Sequence, residues 1–203
     1  MVLTHVFGLF TNPKREFETI RDEECTVKDC YMSHVFILAA IPAIAGFIGA
    51  TQIGWKPGLS SMTAAKLTMG SAFLMCLAAY FAALVGIYII GRSVYWMAET
   101  YGIENPNQSR CIALVAYVAT PMLLAGVLGF FPSLWLYMLG LLAAIAYSTY
   151  LLYTGLPVVL NLPGDRGFLF SSAVLTVVLV VFVGILIATA ILWGFGLGPV
   201  FVR

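Results

Sequence analysis

The chain has 203 residues, 62% of them hydrophobic and only 9% charged, with a mean hydropathy of +1.00. Soluble domains carry about 25% charged residues, so the composition excludes a soluble globular protein and points to an integral membrane protein. A net charge of +1 offers no basic footprint for nucleic acid. The apolar runs are continuous, which excludes a membrane β-barrel with its alternating strands. One compact all-α bundle of transmembrane helices is expected at this length.

Residues 1–30 read as an amphipathic segment at the membrane interface. Leu3, Val6, Phe7 and Phe10 follow i, i+3, i+4, i+7 spacing and predict one apolar helical face. The run Val2–Phe10 is short and its charges follow it, so it does not read as a signal peptide. Asn12-Pro13 predicts an N-cap with proline in the first helical position. Phe17 and Ile20 continue an apolar side amid Lys14, Arg15 and Arg21. Such a helix either lies in the interface or packs under the bundle.

Spans are predicted at about 31–50, 67–91, 111–130, 134–153 and 170–193, each near the 20 apolar residues a bilayer requires. The second is longest and should tilt. Cys111 to Leu152 contains no Asp, Glu, Lys, Arg or His, and Phe131-Pro132-Ser133 divides it into a tight hairpin. The loop TQIGWKPGLSSMTAAK carries Trp55 as an interface anchor, with Trp135 and Trp193 expected on the same side. Gly155, Pro157, Asn161, Pro163 and Gly164 should break the helix before the fifth span. Small residues four apart, such as Ala39/Ala43, Gly140/Ala144 and Gly184/Ala188, predict close packing within the bundle. A dimer seam is the alternative.

Seven of the ten Lys and Arg fall on the N-terminal side of this layout, including Arg92, Arg110 and Arg166. That predicts a cytoplasmic N-terminus and, after five crossings, a periplasmic C-terminus.

Three groups of residues could carry chemistry. Tyr117, Thr120 and Pro121 form a polar spot inside the third span. Pro121 removes a backbone donor one turn after Tyr117, and Thr120 can bond the backbone locally. The group is a hinge, a binding notch or a plain kink. Cys25, Cys30 and His34, with Met32, offer thiolate, thioether and imidazole ligands suited to Cu(I) or Zn(II), although the spacing matches no zinc motif. The bland alternative is two interfacial cysteines and a capping histidine. Arg92 and Arg110 flank a loop holding Glu99 and Glu104, where they pair locally or contact lipid headgroups or a partner. Cys76 and Cys111 sit in predicted spans, so no disulfide framework follows.

Absences matter as much. Only His34 is ionisable near neutral pH within the spans, and no Ser/His/Asp set or zincin motif occurs. Ion-coupled transporters usually keep an acid or base at depth. A non-enzymatic protein without a resident cofactor is therefore expected. A lipid-acting enzyme is the weakest reading, because Tyr117 and Thr120 have no acid or base partner in the sequence.

The stretches FGLFTNPKREFETI, TQIGW, AYVATPMLLAGV and LLYTGLPVVLNLP resemble the Yip (Ypt/Rab-interacting protein) family across nearly the whole chain, and most of all its bacterial inner-membrane members of unknown function. Tyr117 and Pro121 carry its third-span Tyr-x-x-x-Pro motif. The resemblance implies five helices and a cytosolic N-terminus. The chain departs from eukaryotic members in lacking a long N-terminal domain and the acidic Asp-Leu-Tyr-Gly-Pro segment, so Rab binding is not implied. The expected function is a non-enzymatic multi-pass protein of the bacterial inner membrane that organises protein partners or local membrane structure. Its expected partners are membrane lipids and either a protein partner or a second copy. The alternative is a small transporter or channel, with a metal ion held on the cytoplasmic side by Cys25, Cys30 and His34.

Overall fold

The computed structural model describes residues 2–22, 26–27, 31–55, 65–103, 106–131 and 133–202. Cys25, Cys30, Lys28, Glu104, Pro132, Arg203 and the loop 56–64 lie outside the described residues. Two short helices, α1 (Val2–Thr11) and α2 (Pro13–Asp22), precede the bundle. A π-helical turn at Tyr31–Val35 leads into α3 (Phe36–Ile48), which ends in a second π turn at Gly49–Ile53. Then come α4 (Met69–Thr100), α5 (Gln108–Val118) and α6 (Thr120–Ala125). A 3-10 turn, Gly126–Phe130, completes the third crossing. The last two helices are α7 (Leu134–Val159) and α8 (Gly164–Leu192), the latter ending in a π turn at Trp193–Leu197. Five of these segments are long and apolar enough to cross a membrane, as the hydropathy predicts. The chain is an all-α integral membrane protein.

The helices run past the predicted span ends, for a simple reason. A helix does not stop where the hydrocarbon stops if its next turns can bury one side. α4 continues to Thr100 with Val94, Met97 and Ala98 buried while Arg92, Trp96 and Glu99 face outward. α7 passes through Gly155 and Pro157 instead of breaking there. Both residues are contact points: a Cβ at Gly155 would lie 2.6 Å from the Phe17 ring, and one at Gly167 of α8 would lie 2.8 Å from Pro157. The stop comes at Asn161, whose left-handed backbone (φ 53°) suits an asparagine. α8 then begins at Gly164, well before the predicted 170.

The third crossing is the centre of the molecule. Every residue from Cys111 to Tyr117 is buried. α4 lies against it through Gly91, where a Cβ would sit 2.8 Å from the Ile112 Cα. α3 meets the 3-10 turn almost backbone to backbone, with Gly49 on the Gly129 carbonyl and Gly126 on Pro42. Small residues allow such approach in lipid. Not all the predicted pairs are used this way: Gly184 and Ala188 face outward, and nothing lies within 4 Å of a Cβ built at Gly184.

On α1 the protein-facing residues are His5 and Leu9, while Phe7 and Phe10 of the predicted apolar side are 76% and 48% exposed. An exposed phenylalanine suits an apolar surrounding, whereas a buried histidine needs polar partners. Under α1, α2 buries Phe17 and Ile20 against the bundle, so the packed alternative describes this helix.

At the opposite end of the 32-residue α4, residues 65–68 pair with the C-terminal tail. Thr68 N–H donates to the Val200 carbonyl (2.8 Å), Val202 N–H to the Lys66 carbonyl (2.8 Å), and the Ser71 hydroxyl to the Gly198 carbonyl (3.1 Å). Trp55 packs edge-on against Tyr137, with ring centroids 5.6 Å apart.

Candidate functional site

The polar side chains that the sequence scatters over 116 positions meet beside the break in the third crossing. The helix is interrupted at Ala119 (ψ −13°) and restarts at Thr120 with Pro121 in its first turn. Proline cannot donate to the carbonyl four residues back, so the local ladder is lost here for a covalent reason. Thr120 is fully buried, and its hydroxyl lies 3.3 Å from the Ala116 carbonyl and 2.9 Å from His34 Nε2. His34 is also fully buried, on the π turn before α3, and its ring sits 4.6 Å from that of Tyr117. The histidine predicted at a helix edge therefore reaches the third crossing.

A second histidine arrives from α1. The ring of His5 meets Tyr117 edge-on at 5.7 Å. Its Nδ1 lies 2.5 Å from Glu16 Oε1, in the first turn of α2. α1 is held elsewhere too. Tyr147 of α7 donates to the Leu9 carbonyl (2.9 Å), and its ring stacks on Phe10 at 5.2 Å. Glu16, His5, Tyr117, His34 and Thr120 thus form one polar column from the N-terminal helices into the bundle.

When the Thr120 hydroxyl donates to Ala116, Nε2 of His34 must carry the proton, which leaves Nδ1 with its lone pair. That Nδ1 has no hydrogen-bond partner among the described residues, and neither do the buried hydroxyls of Ser148 and Ser171. An imidazole lone pair is what a soft or borderline metal takes. Cys25 and Cys30, its predicted co-ligands, lie outside the described residues, as does the side chain of Met32. Among the described residues no three His, Cys, Asp or Glu side chains gather as a metal site. A histidine now stands beside Tyr117 and Thr120, and the Glu16 carboxylate is linked to them through His5. None of the five residues lines the cavity at Arg166, the one at Arg110 or the one between α3 and α4.

Sequence reading passes over His5 and Glu16. Glu16 looks like one more charge on a polar helix, and His5 lies 112 positions from Tyr117 with no local signal of the contact. The available clue was a histidine inside an apolar run, a residue that must find a partner.

Arg92 is exposed, 3.4 Å from Gln108 Oε1 and 5.2 Å from the centre of the Tyr95 ring. Arg110 lines a cavity with Arg21 of α2. The hydrogen bond from Arg21 to Asp22 raises the guanidinium pKa above its ordinary value, so Arg21 is a fixed cation.

This architecture, with Tyr117 and Pro121 at the break, can now be set against known proteins. The model of the Yip1 domain family matches residues 7–185. The chain belongs to the Yip1 domain family. Among curated proteins it is similar to the inner membrane protein YohC of Escherichia coli K12, with 39% identity over 194 residues. The match covers 96% of this chain and 98% of the relative, and the YohC protein of E. coli O6:H1 matches equally. No solved structure matches. The polar column lies within the Yip1-matched region except for its first member, His5. An inner-membrane relative and five apolar crossings agree on a multi-pass inner-membrane protein.

Proposed function

We propose that this Yip1-family protein is non-enzymatic and organises protein partners or local bilayer structure from the cytoplasmic face of the inner membrane. The observation that carries the reading is the clamped α1–α2 pair. Its inner side is fixed by His5–Glu16, Tyr147–Leu9 and Phe17 in the Gly155 notch, while Phe7 and Phe10 point outward. A rigid helix with an outward apolar edge at the headgroup boundary displaces lipid in one leaflet or receives an apolar partner. The excess of Lys and Arg on that side supports its cytoplasmic placement.

Mild-detergent affinity purification from the native host tests the role. A defined protein or lipid companion, reduced by Phe7→Ser with Phe10→Ser, is the expected result; recovery of the chain alone would sink the proposal. Membrane-impermeant maleimide on single-cysteine variants tests the orientation. A cysteine at Lys14 should be protected in intact cells and one at Lys66 labelled.

The lone pair at His34 Nδ1 favours one second reading, a metal-handling transporter with Cys25 and Cys30 as co-ligands. Metal analysis after equilibration with Zn(II) or Cu(I) decides it. Less than about a tenth of an equivalent bound, or binding unchanged by Cys25→Ser with Cys30→Ser, removes it.

A further inference from the structure

Two cavities open side by side where α2 ends, α5 begins and α7 turns into α8. One, of about 800 Å³, is lined by Arg166, Tyr101, Leu169, Phe170 and Ala173, among others. The other, of about 430 Å³, is lined by Arg21, Asn107 and Arg110. They share a wall made of Ile103, Leu160 and Asn161. Arg166 therefore lines one cavity and Arg21 with Arg110 the adjoining one, three arginines from three separate segments along one trough.

One of the three charges has an acidic partner among the described residues. Arg21 engages Asp22 through Nε at 3.0 Å. Arg110 and Arg166 make no ion pair among the described residues. Of the other described acids on these elements, Glu99 accepts from Tyr95 at 2.5 Å, and Asp165 stands in the first turn of α8. No side chain caps the N-terminus of α8, beside Pro163 and Arg166, and helix N-termini favour anions. The trough is also two-faced. Its arginine end is polar, while Leu169, Phe170 and Ala173 carry it along α8 toward the apolar layer. Leu169 is 69% exposed on that path.

We infer that this trough binds the phosphate headgroup of an anionic phospholipid, with Arg21, Arg110 and Arg166 around the phosphate and the first acyl carbons along Leu169 to Ala173. Guanidinium forks match phosphate oxygens in pairs, and basic pockets between membrane helices on the charged side select anionic lipids. A free phosphate shares the headgroup chemistry but has no use for the apolar continuation. The site is independent of the organiser role, since a transporter could carry it equally well.

The test uses the full-length protein in neutral detergent, titrated with dioleoyl phosphatidylglycerol, dioleoyl phosphatidylcholine or inorganic phosphate. Bound lipid is counted by native mass spectrometry. Phosphatidylglycerol should bind saturably, phosphatidylcholine should not, and phosphate at the same concentration should leave the lipid in place. Arg110→Gln and Arg166→Gln should each weaken phosphatidylglycerol binding about fivefold, and Arg92→Gln should leave it unchanged. Equal binding of the two lipids overturns the inference, as does an equal loss in Arg92→Gln. Displacement of the lipid by phosphate alone overturns the lipid assignment in favour of a free anion. If Arg110→Gln fails to fold, the comparison of the two lipids on the unaltered chain still decides the outcome.

Discussion

At the scale of single residues, the fold depends on a few polar atoms in an apolar medium. Thr120 accepts from or donates to His34 where water cannot substitute. Removing one partner of a buried hydrogen bond costs the desolvation of the other, about 1–3 kcal/mol. Thr120→Val should therefore destabilise the protein by about that amount in detergent thermal unfolding, and Thr120→Ser should restore most of it. An unchanged midpoint for Thr120→Val would mean that His34 finds another partner. Gly155 is the apolar counterpart. Its missing side chain is the notch that holds Phe17, so Gly155→Leu should push α2 off α7. Overpacking of this kind costs about 1–3 kcal/mol, and limited trypsin digestion should then cut at Lys14 and Arg15 far faster than in the parent. Neither role could be read locally. Tyr117, Thr120 and Pro121 announce themselves as polar or helix-breaking residues inside an apolar run. His5 and the Gly155 notch acquire meaning only when distant segments meet.

At the scale of elements, hydropathy identifies the five crossings because bilayer thickness demands them. It misplaces their ends because the ends obey a different rule. Beyond the hydrocarbon, a helix continues wherever one side can be covered, as with Val94, Met97 and Ala98 in α4. Pro157 and Gly155 look like breakers in the sequence and are packing surfaces in the fold. The pairing of residues 65–68 with the tail has no sequence signature at all, since it is made of backbone groups. It gives a direct check: Leu67 and Phe201 face each other as an antiparallel bridge. Leu67→Cys with Phe201→Cys, in a background lacking the native cysteines, should cross-link under mild oxidation. Absence of the cross-link while a Leu67→Cys/Val180→Cys pair reacts would place the tail elsewhere.

At the scale of the whole molecule, the arrangement is asymmetric. One end carries the N-terminal helices, the polar column and the arginine trough; the other is closed by the tail and by aromatic contacts such as Trp55 with Tyr137. The column explains how the N-terminal segment and the third crossing act as one body, although the sequence presents them as a surface helix and a buried span. The Yip likeness was legible because its motifs, Tyr117 and Pro121 among them, are local. The trough was legible only in part, since Arg110 stands out beside a span but Arg21 and Arg166 join it through folding.

The seam between α3 and the 3-10 turn carries a further consequence. Gly49 rests on the Gly129 carbonyl with no side chain between them. A seam this tight should resist the passage of water and protons at that point. Gly129→Leu should force the two backbones apart and let protons through. In liposomes loaded with a pH-sensitive dye, an imposed pH gradient should collapse faster with this variant than with the parent protein. Equal decay would show that the barrier lies elsewhere in the bundle.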